Sequence, residues 1–562
     1  MTKRFYSAEE AFEILFADSG SDSGEDLEFL ASSSSSSDES PERRPGPSAQ
    51  EQPSVQTWIP TSNFIPQIPN FTATPGIHVD TTGFREIHFF KLFFSDDLIN
   101  LIVAETNLYA EQFIARNPSK YYAKPHKWTP TDATEMYKFW GLLLNMGLCK
   151  KPTIRSYWVT DILYHTPLYP LVMSRTRFEI LFRFLHYNNN DECLPQSDPA
   201  FDRLFKIRPL ITHFNSKFCQ VYTPQKQISV DESLVHFKGR LRFRQYLPNK
   251  RARYGIKLYK LCESATGYTF RFRVYEGKDI SIQPPECPSV LKTSGRIVWD
   301  LIHPLLDRGY HVYIDNFYNS VPLLKSLAAR STAACGTIRK NQKDLPKTFI
   351  STPVPRGQSR AVCTDTLMLL KYKDKRDVLV LTTLHGDQST PVPIRGATEQ
   401  TIKPVCIQDY NKYMGGVDLS DQVLQPYSAL RKSKAWYKKV SVYLTQVGLY
   451  NSFVLYRNAG HRGTFLEFQE AVIRSLVFGE QEEEATTSSQ MEVSRIVRGQ
   501  HFPGKLPPTE KKRRPQKLCR VCYAKGVKKY TTHICETCPS NPGLCIGECF
   551  QAYHTAPDLK KL

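Results

Sequence analysis

The alternation of apolar and polar positions divides the chain into helical and strand-forming parts. Ser95 is a predicted helix N-cap, because two acidic residues and a helically spaced apolar stripe follow it. Thr129-Pro130 predicts a second helix start, and a third helix is expected from Ser174 to Tyr187. Residues 81–226 are therefore expected to form a helical domain.

Strand periodicity begins at residue 227. Apolar and polar residues alternate from there, and this strand is predicted to end on Asp231. A second strand, at 311–315, has the same phase and ends on Asp315. With further strands at 239–262 and 333–338 and helices between them, the pattern predicts a mixed α/β sheet with both carboxylates at one edge.

Residues 341–405 are rich in turns around two strand-like runs, and helical patterning resumes at 411, with a long helix at 438–457. The predicted boundaries are a disordered acidic tail at 1–80, a helical domain at 81–226, the first part of an α/β core at 227–340, a β-rich insertion at 341–405, a closing core helix at 406–430, the second part of the helical domain at 431–500, a basic linker at 501–516 and a Cys-rich module at 517–556.

Charge is distributed unevenly along the chain. The net charge is +19, but residues 1–56 hold four Lys/Arg and twelve Asp/Glu, which leaves about +27 on the rest. Such an excess favours a polyanionic partner, and the alternative is an ordinary basic surface. No apolar run is long enough to span a bilayer, so no membrane association is expected.

Two basic stretches are candidates for nucleic-acid contact or targeting. Residues 239–262 are predicted to be a hairpin with a basic, aromatic-bearing face, and a solvated edge strand is the competing interpretation. Residues 511–514 indicate nuclear localisation or a nucleic-acid arm, against a plain linker. The basic residues are Arg240, Arg242, Arg244, Lys250, Arg251, Arg253 and Lys257 in the first stretch, and Lys511, Lys512, Arg513 and Arg514 in the second.

A further pair of carboxylates follows the predicted insertion. Asp418 and Asp421 are three residues apart and share a helix face, although first-turn acids also occur simply because they favour the helix dipole. Together with Asp231 and Asp315 they form a set of oxygen ligands suited to Mg²⁺ or Mn²⁺. Two such ions support phosphoryl transfer.

Soft metal ligands crowd the C-terminal module, whereas eight other cysteines are scattered between Cys149 and Cys406. Two tetrahedral Zn²⁺ sites need eight ligands, and alternating pairs would give a cross-braced module. A RING-like or PHD-like protein reader is the alternative. The predicted ligands are Cys519, Cys522, His533, Cys535, Cys538, Cys545, Cys549 and His554, with the spacing of His533 to Cys535 unusual.

The sequence closely resembles the piggyBac family of DNA transposases from about residue 75 to the end. The stretches that carry this resemblance are Val230–Leu234, Arg251–Lys257, Leu261–Ser264, Asp315–Tyr318, Cys335–Arg339, Tyr413–Asp418 and Tyr553–Thr555. Among family members it is most similar to the vertebrate elements. The spacing between Cys545 and Cys549 departs from that of the founding member, which leaves the zinc pairing open.

The resemblance implies a ribonuclease-H-like catalytic core with an insertion, flanked by a helical dimerisation and DNA-binding domain. It implies that Asp231, Asp315 and Asp418 are a catalytic triad binding two Mg²⁺ ions and that Asp421 is a further important acid. It also implies a nuclear homodimer that excises through a hairpin and inserts at TTAA. Further DNA contacts are expected at Arg339, Lys340, Arg431, Lys432, Lys434, Trp436, Lys438 and Lys439, with a core tryptophan as the competing interpretation of Trp436.

Three functional hypotheses follow. The first is a Mg²⁺-dependent cut-and-paste transposase. The second is a domesticated descendant that binds DNA or chromatin without cutting. The third is a nuclear zinc-module adaptor or ubiquitin-ligase scaffold, which would leave the aspartates without a purpose. An intact aspartate set favours the first hypothesis.

Overall fold

The computed structural model describes residues 57–60, 64–117, 127–248, 253–393, 400–479, 501–508, 512–538 and 540–555. These residues form two compact units, one ending at residue 473 and the other beginning at residue 474. Most of the predicted acidic tail, residues 1–56, lies outside the described residues.

The end of the predicted tail is packed against the first unit, unlike the disordered segment expected up to residue 80. Strand β1 (Ile59–Pro60) pairs with residues 362–363, and β2 (Gly76–Ile77) pairs with residues 222–223. Between them, the ring of Phe71 meets that of Tyr310 edge-on at 5.0 Å. Apolar side chains in this proline-rich segment therefore anchor it to the core.

Helices occupy the next part of the chain, as predicted. Ser95 and Ser174 cap helices by accepting hydrogen bonds from Leu98 N and Arg177 N. The second helix begins three residues later than predicted, because Asp132 rather than Thr129 supplies the capping oxygen. The helices are α1 (Glu86–Lys91), α2 (Asp96–Arg116), α3 (Ala133–Leu148), α4 (Leu168–Val172), α5 (Arg175–Phe184) and α6 (Arg208–Val221), with 3-10 turns at Ile154–Trp158, Asn190–Glu192 and Phe205–Ile207.

A ten-stranded sheet forms the centre of the first unit. Its middle has three antiparallel strands followed by two parallel strands, each reached through a helix, which is the predicted α/β order. The elements are β3 (Tyr222–Thr223), β4 (Gln227–His236), β5 (Gln245–Tyr246), β6 (Tyr254–Glu263), β7 (Thr269–Val274), α7 (Thr293–Ile302), a 3-10 turn at His303–Leu305, β8 (His311–Ile314), α8 (Val321–Ala328) and β9 (Ala333–Thr337). Every strand in this list belongs to the ten-stranded sheet except β3, which pairs with β2.

The predicted β-rich insertion extends the same sheet. The strand at 377–382 pairs antiparallel with β9, so three insertion strands continue the core sheet rather than forming a separate layer. Only the last two insertion strands form their own hairpin. The elements are α9 (Lys347–Ser351), β10 (Ser359–Cys363), β11 (Met368–Lys373), β12 (Asp377–Thr382), β13 (Ser389–Pro393) and β14 (Gln400–Pro404).

Four helices follow the insertion along the chain, and one of them approaches the sheet very closely. A Cβ atom on Gly416 would lie 2.6 Å from Ser229 Oγ and 2.8 Å from Glu263 O. Only glycine therefore permits this contact between the helix that begins at Gly416 and strands β4 and β6. The helices are α10 (Val405–Tyr413), α11 (Gly416–Leu424), α12 (Trp436–Asn458) and α13 (Phe465–Phe478).

The second unit is small and built around its cysteines. Cys519, Cys535 and Cys538 form its buried cluster with Val521 and Leu544. Its elements are β15 (Pro503–Lys505), β16 (Lys517–Leu518), α14 (Arg520–Ala524), β17 (Tyr530–Thr531), β18 (His533–Cys535) and α15 (Glu548–Thr555). Such a short unit has little apolar core of its own.

Candidate functional site

Asp231 and Asp315 lie side by side on neighbouring parallel strands. Strand β4 pairs in register with β8, and the last matched pair is Val230 with Ile314. Asp231 is the next residue of β4, Asp315 directly follows the end of β8, and both are half-buried. Strand β4 does not end on Asp231 as predicted but continues to His236, because it stays paired with β6 as far as Gly255.

A tyrosine and a threonine stand beside these carboxylates. Thr337 Oγ1 donates to Asp315 Oδ1 at 3.3 Å and lies 3.4 Å from the Tyr410 hydroxyl. Burial raises the pKa of Tyr410, and the negative charges of Asp315 and Asp231 raise it further. The Tyr410 hydroxyl therefore lies close enough to both carboxylates for their charges to affect it.

Asp418 reaches the same region from helix α11. Ser229, Asp231 and Ser233 alternate onto one face of β4, and Gly416 packs on Ser229 at the start of the helix. Asp418 lies in the first turn of α11 and is exposed. The helix thus presents this carboxylate near the face that carries Asp231.

The donor set suits a hard divalent cation. Carboxylate oxygens are the ligands that Mg²⁺ prefers, and Mg²⁺ commonly uses one or two of them together with substrate phosphates. Among the described residues, the groups of three or more ligands whose atoms all lie within 4.8 Å of one another are two Cys/His sets, and the aspartates are not among them. The aspartate site is therefore more open than a closed metal cage.

Asp421 is contacted by side chains from three other elements, β4, β6 and α12. Its Oδ1 accepts hydrogen bonds from Ser233 Oγ at 2.9 Å and from Tyr443 Oη at 3.0 Å. Lys260 Nζ lies 3.6 Å from the same oxygen. Burial opposes the charge on Lys260, but the oxygens of Tyr443 and Asp421 outweigh it, so the pKa of Lys260 is raised.

Some of the predicted DNA-contact residues are exposed at the surface, and others are held inside the protein. Within the predicted hairpin, β5 pairs antiparallel with β6. Arg339 Nε donates to Oδ1 of Asn316, the residue after Asp315, at 3.0 Å. Lys250 and Arg251 lie outside the described residues. The exposed candidates are Arg240, Arg242, Arg244, Arg253, Arg339, Lys340, Lys432 and Lys434.

Four other predicted DNA contacts are held inside the protein, so the hairpin is not basic along one whole face. Lys257 packs beneath the Phe317 ring, with its ammonium 4.7 Å from the ring centroid. Lys438 donates to Arg183 O at 2.5 Å and Lys439 to His236 O at 3.3 Å. Arg431 donates to Met146 O and the Tyr157 hydroxyl. These buried cations join elements, because long basic side chains can satisfy backbone carbonyls.

Trp436 opens helix α12 and is half-buried. Its ring meets Phe243 of the basic hairpin edge-on, with centroids 5.3 Å apart. It thus ties the hairpin to the helix, and part of its surface is exposed.

Two groups of four soft ligands occupy the second unit. Cys519, Cys522, Cys545 and Cys549 form one group, and within it Cys522 Sγ and Cys549 Sγ are 3.6 Å apart. This is close to the ~3.8 Å edge of a tetrahedron with Zn–S bonds of about 2.3 Å. Pairs from separate parts of the module combine, which is a cross-braced arrangement that fits structural zinc.

The second group contains His501 in place of the predicted His533. His501 Nδ1 lies 3.5 Å from both Cys535 Sγ and Cys538 Sγ, and His554 Nε2 lies 3.5 Å from Cys538 Sγ. His533 belongs to neither group, because it sits in β18, where its ring contacts Thr532. The pairing of β15 with β18 brings His501 to the cysteines from the predicted basic linker. No local spacing signals a ligand 34 residues before Cys535.

The remaining predictions concern targeting and membranes. Lys512, Arg513 and Arg514 are exposed, and Lys511 lies outside the described residues. Within the part of the chain that the structure describes, we find no helix with the length and apolar character needed to cross a membrane.

Comparisons with known proteins agree with one another. A family profile described as Transposase IS4 matches residues 85–453, and one described as a DDE_Tnp_1-like zinc finger matches residues 501–555. The human PiggyBac transposable element-derived proteins 3 and 2 are each 28% identical to this chain. The alignments cover 68% and 66% of this chain and 63% and 61% of those proteins, so the chain spans less than two thirds of their length.

A solved structure extends the likeness to the fold. The cryo-EM structure of a piggyBac transposase synaptic complex with hairpin DNA aligns with a TM-score of 0.61 and 25% identity, covering 84% of this chain and 98% of that one. Together these matches define a transposase-like protein that carries a zinc-finger module. The chain belongs to the Transposase IS4 family, in its piggyBac group.

Proposed function

We propose that this protein is a cut-and-paste DNA transposase of piggyBac type, which binds transposon terminal repeats and inserts at TTAA sites. The observation that carries the proposal is the convergence of Asp231, Asp315 and Asp418 on one region of the central sheet. Their strand order supports a ribonuclease-H-like core. A scaffold or adaptor protein would need no such carboxylate set.

In this proposal, Asp231, Asp315 and Asp418 would hold two Mg²⁺ ions. When bound, such ions activate the attacking oxygen and stabilise the leaving oxygen of a phosphodiester. Asp231 and Asp315 contribute from rigid neighbouring strands, and Asp418 contributes from the helix that packs across them. The Thr337 hydroxyl orients the Asp315 carboxylate, and the Tyr410 hydroxyl contacts that of Thr337.

The exposed arginines and lysines hold the DNA near this region. Arg242 and Arg244 lie on the basic hairpin, and Arg339 bonds Asn316, the residue after Asp315. Cation–phosphate contacts of this kind make binding strongly dependent on salt. The similar solved structure contains hairpin DNA, which supports a hairpin intermediate here. We further propose a homodimer that enters the nucleus through residues 511–514.

A plasmid excision assay tests this function. A donor carrying the cognate terminal repeats flanked by TTAA is incubated with protein and Mg²⁺, and the rejoined backbone is amplified and sequenced. We expect wild type to excise and restore TTAA, whereas Asp231→Asn, Asp315→Asn and Asp418→Asn fall to the background without protein. Each variant should still shift the repeat DNA in a gel run without added Mg²⁺ and without a chelator.

Asp374→Asn is a matched control, because Asp374 is an exposed aspartate in the turn between β11 and β12. It should excise like wild type. Excision by any of the three site variants at the wild-type rate would rule out their catalytic role.

The second candidate function is that of a domesticated DNA-binding protein without cleavage activity. It is favoured by the human relatives, whose names describe them as derived from a transposable element. Wild-type protein that shifts the repeats but never excises with Mg²⁺ or Mn²⁺ would establish this second function and overturn the first.

A further inference from the structure

Lys260 is a buried cation behind the aspartate site. It lies on β6 directly across from Asp231, and only 1% of its side chain is exposed. Its ammonium donates to Ser420 Oγ at 2.9 Å and lies 3.6 Å from Asp421 Oδ1. Since a buried charge is costly unless it is paired, Lys260 is held in place by helix α11.

Asp421 joins Lys260 to the rest of the site. The same carboxylate oxygen accepts hydrogen bonds from Ser233 on β4 and Tyr443 on α12. One oxygen therefore connects β4, β6, α11 and α12. Asp421 Oδ1, which already has these three donors around it, has little capacity left for a metal ion.

We infer that Lys260 and Asp421 form a positioning pair that fixes α11, and with it Asp418, against the strand that carries Asp231. Asp421 then acts as a positioning residue through its Oδ1. The inference rests on the proposed function for its catalytic consequence, and it separates Asp421 from the three aspartates that hold the ions.

The local geometry explains why a pair is needed here. Gly416 allows α11 to approach β4 closely, but a glycine contact supplies no directional bond. The polar contacts of Ser233, Lys260 and Tyr443 with Asp421 lie one turn further along α11, and they fix the rotation of the helix about its axis. Without them the first turn of α11 would be free to rotate, and Asp418 would move relative to Asp231.

A double-mutant cycle of Lys260→Met, Asp421→Asn and their combination tests the inference. The DNA-free protein is titrated with Mn²⁺, and free Mn²⁺ is followed by its electron paramagnetic resonance signal. The thermal midpoint of tryptophan emission is measured on the same samples. Asp418→Asn serves as the variant that removes a ligand.

Removing Asp421 leaves the buried Lys260 ammonium without its countercharge, and removing Lys260 leaves the Asp421 charge with only the neutral donors Ser233 and Tyr443. Removing both residues leaves neither charge. We therefore expect each single variant to lower the midpoint and to weaken Mn²⁺ binding by about 10- to 100-fold, as loss of an orienting group does. The double variant should recover at least half of the loss of Lys260→Met in both measurements, because the side-chain amide that Asp421→Asn introduces can still bond Ser233 and Tyr443.

Two results would overturn the inference. If Asp421 is a ligand, the double variant will bind Mn²⁺ more weakly than either single variant. If the two residues act separately, the midpoint losses will add. Failure of wild type to excise would overturn the proposed function. The thermal midpoints of the single and double variants would still decide whether Lys260 and Asp421 act as a pair. Failure of wild type to bind Mn²⁺ would count against both.

Discussion

At the scale of single residues, the two histidines of the second ligand group are held differently. His554 Nδ1 donates to Phe550 O at 2.6 Å, which leaves Nε2 to face Cys538. His501 instead presents Nδ1 to both cysteines. Because the second ring nitrogen fixes which one can bind metal, His554 is oriented within its own helix, and His501 depends on the β15–β18 pairing.

Zinc content distinguishes the two candidate histidines. We expect His501→Ala to lower the bound zinc from two ions per chain to about one, since a tetrahedral site that loses one of its four ligands is greatly weakened. His533→Ala is the matched control and should keep both ions. Mass spectrometry of the purified protein after dialysis measures the difference, and a loss in the control alone would reverse the assignment.

His311 should make the stability of the first unit depend on pH. Burial lowers the pKa of His311 to about 4, helped by the nearby Lys226 and His385. The folded protein keeps this ring neutral, whereas the unfolded chain takes up a proton below its ordinary pKa of about 6.5. Its stabilising contribution is therefore complete above that pH and is lost progressively as the pH falls toward 4.

The size of this effect is about 3 kcal/mol, since each unit of pKa corresponds to about 1.4 kcal/mol. His311→Gln cannot titrate, so it should lose correspondingly less stability than wild type between pH 7 and pH 4.5. Urea unfolding at the two pH values, followed by tryptophan emission, measures it. Equal losses in both proteins would contradict the prediction.

At the scale of elements, the contact of α11 with β4 depends on one of two adjacent glycines. A Cβ on Gly416 would meet Ser229 Oγ at 2.6 Å, whereas a Cβ on Gly415 would meet no atom within 4 Å. Gly415 has φ −76°, which alanine adopts freely. We expect Gly416→Ala to cost about 1–3 kcal/mol through overpacking, while Gly415→Ala is neutral or slightly stabilising. Urea midpoints of the two variants check this, and equal midpoints would refute it.

The elements that could be predicted from the sequence are those whose signals are local. Strand alternation located Asp231 and Asp315, because the period of two fixes which side chains share a face. Their adjacency then followed from parallel pairing of β4 and β8. The end of β4 could not be predicted, since its continuation to His236 depends on pairing with Gly255 and the rest of β6, further along the chain.

Long-range contacts account for the features that sequence patterns missed. His501 carries no ligand spacing and becomes a ligand only through strand pairing. The positive charges of Lys438 and Lys439 suggested DNA contacts, yet both side chains donate to backbone carbonyls of distant residues. The partners of Asp421 likewise come from three different elements. Composition records that a charge exists, but not which group neutralises it.

At the scale of the whole molecule, the two units should respond separately to metal removal. The second unit has a small core in which cysteines are central, so its folding should depend on zinc. All six tryptophans lie before residue 473 and report on the first unit alone. After treatment with a chelator we expect rapid proteolysis within residues 501–555 and an unchanged urea midpoint of tryptophan emission. A shifted midpoint would contradict this independence.

The hydrogen bond between Ser233 and Asp421 joins residues 188 positions apart, and the bond from Tyr443 adds another 22. During synthesis at about 5–20 residues per second, β4 emerges roughly 10–40 s before its partner helix. The basic hairpin is complete long before the third aspartate exists. A nascent chain can therefore attract nucleic acid well before it can assemble the groups that would act on it, and any cutting chemistry must wait for the finished protein.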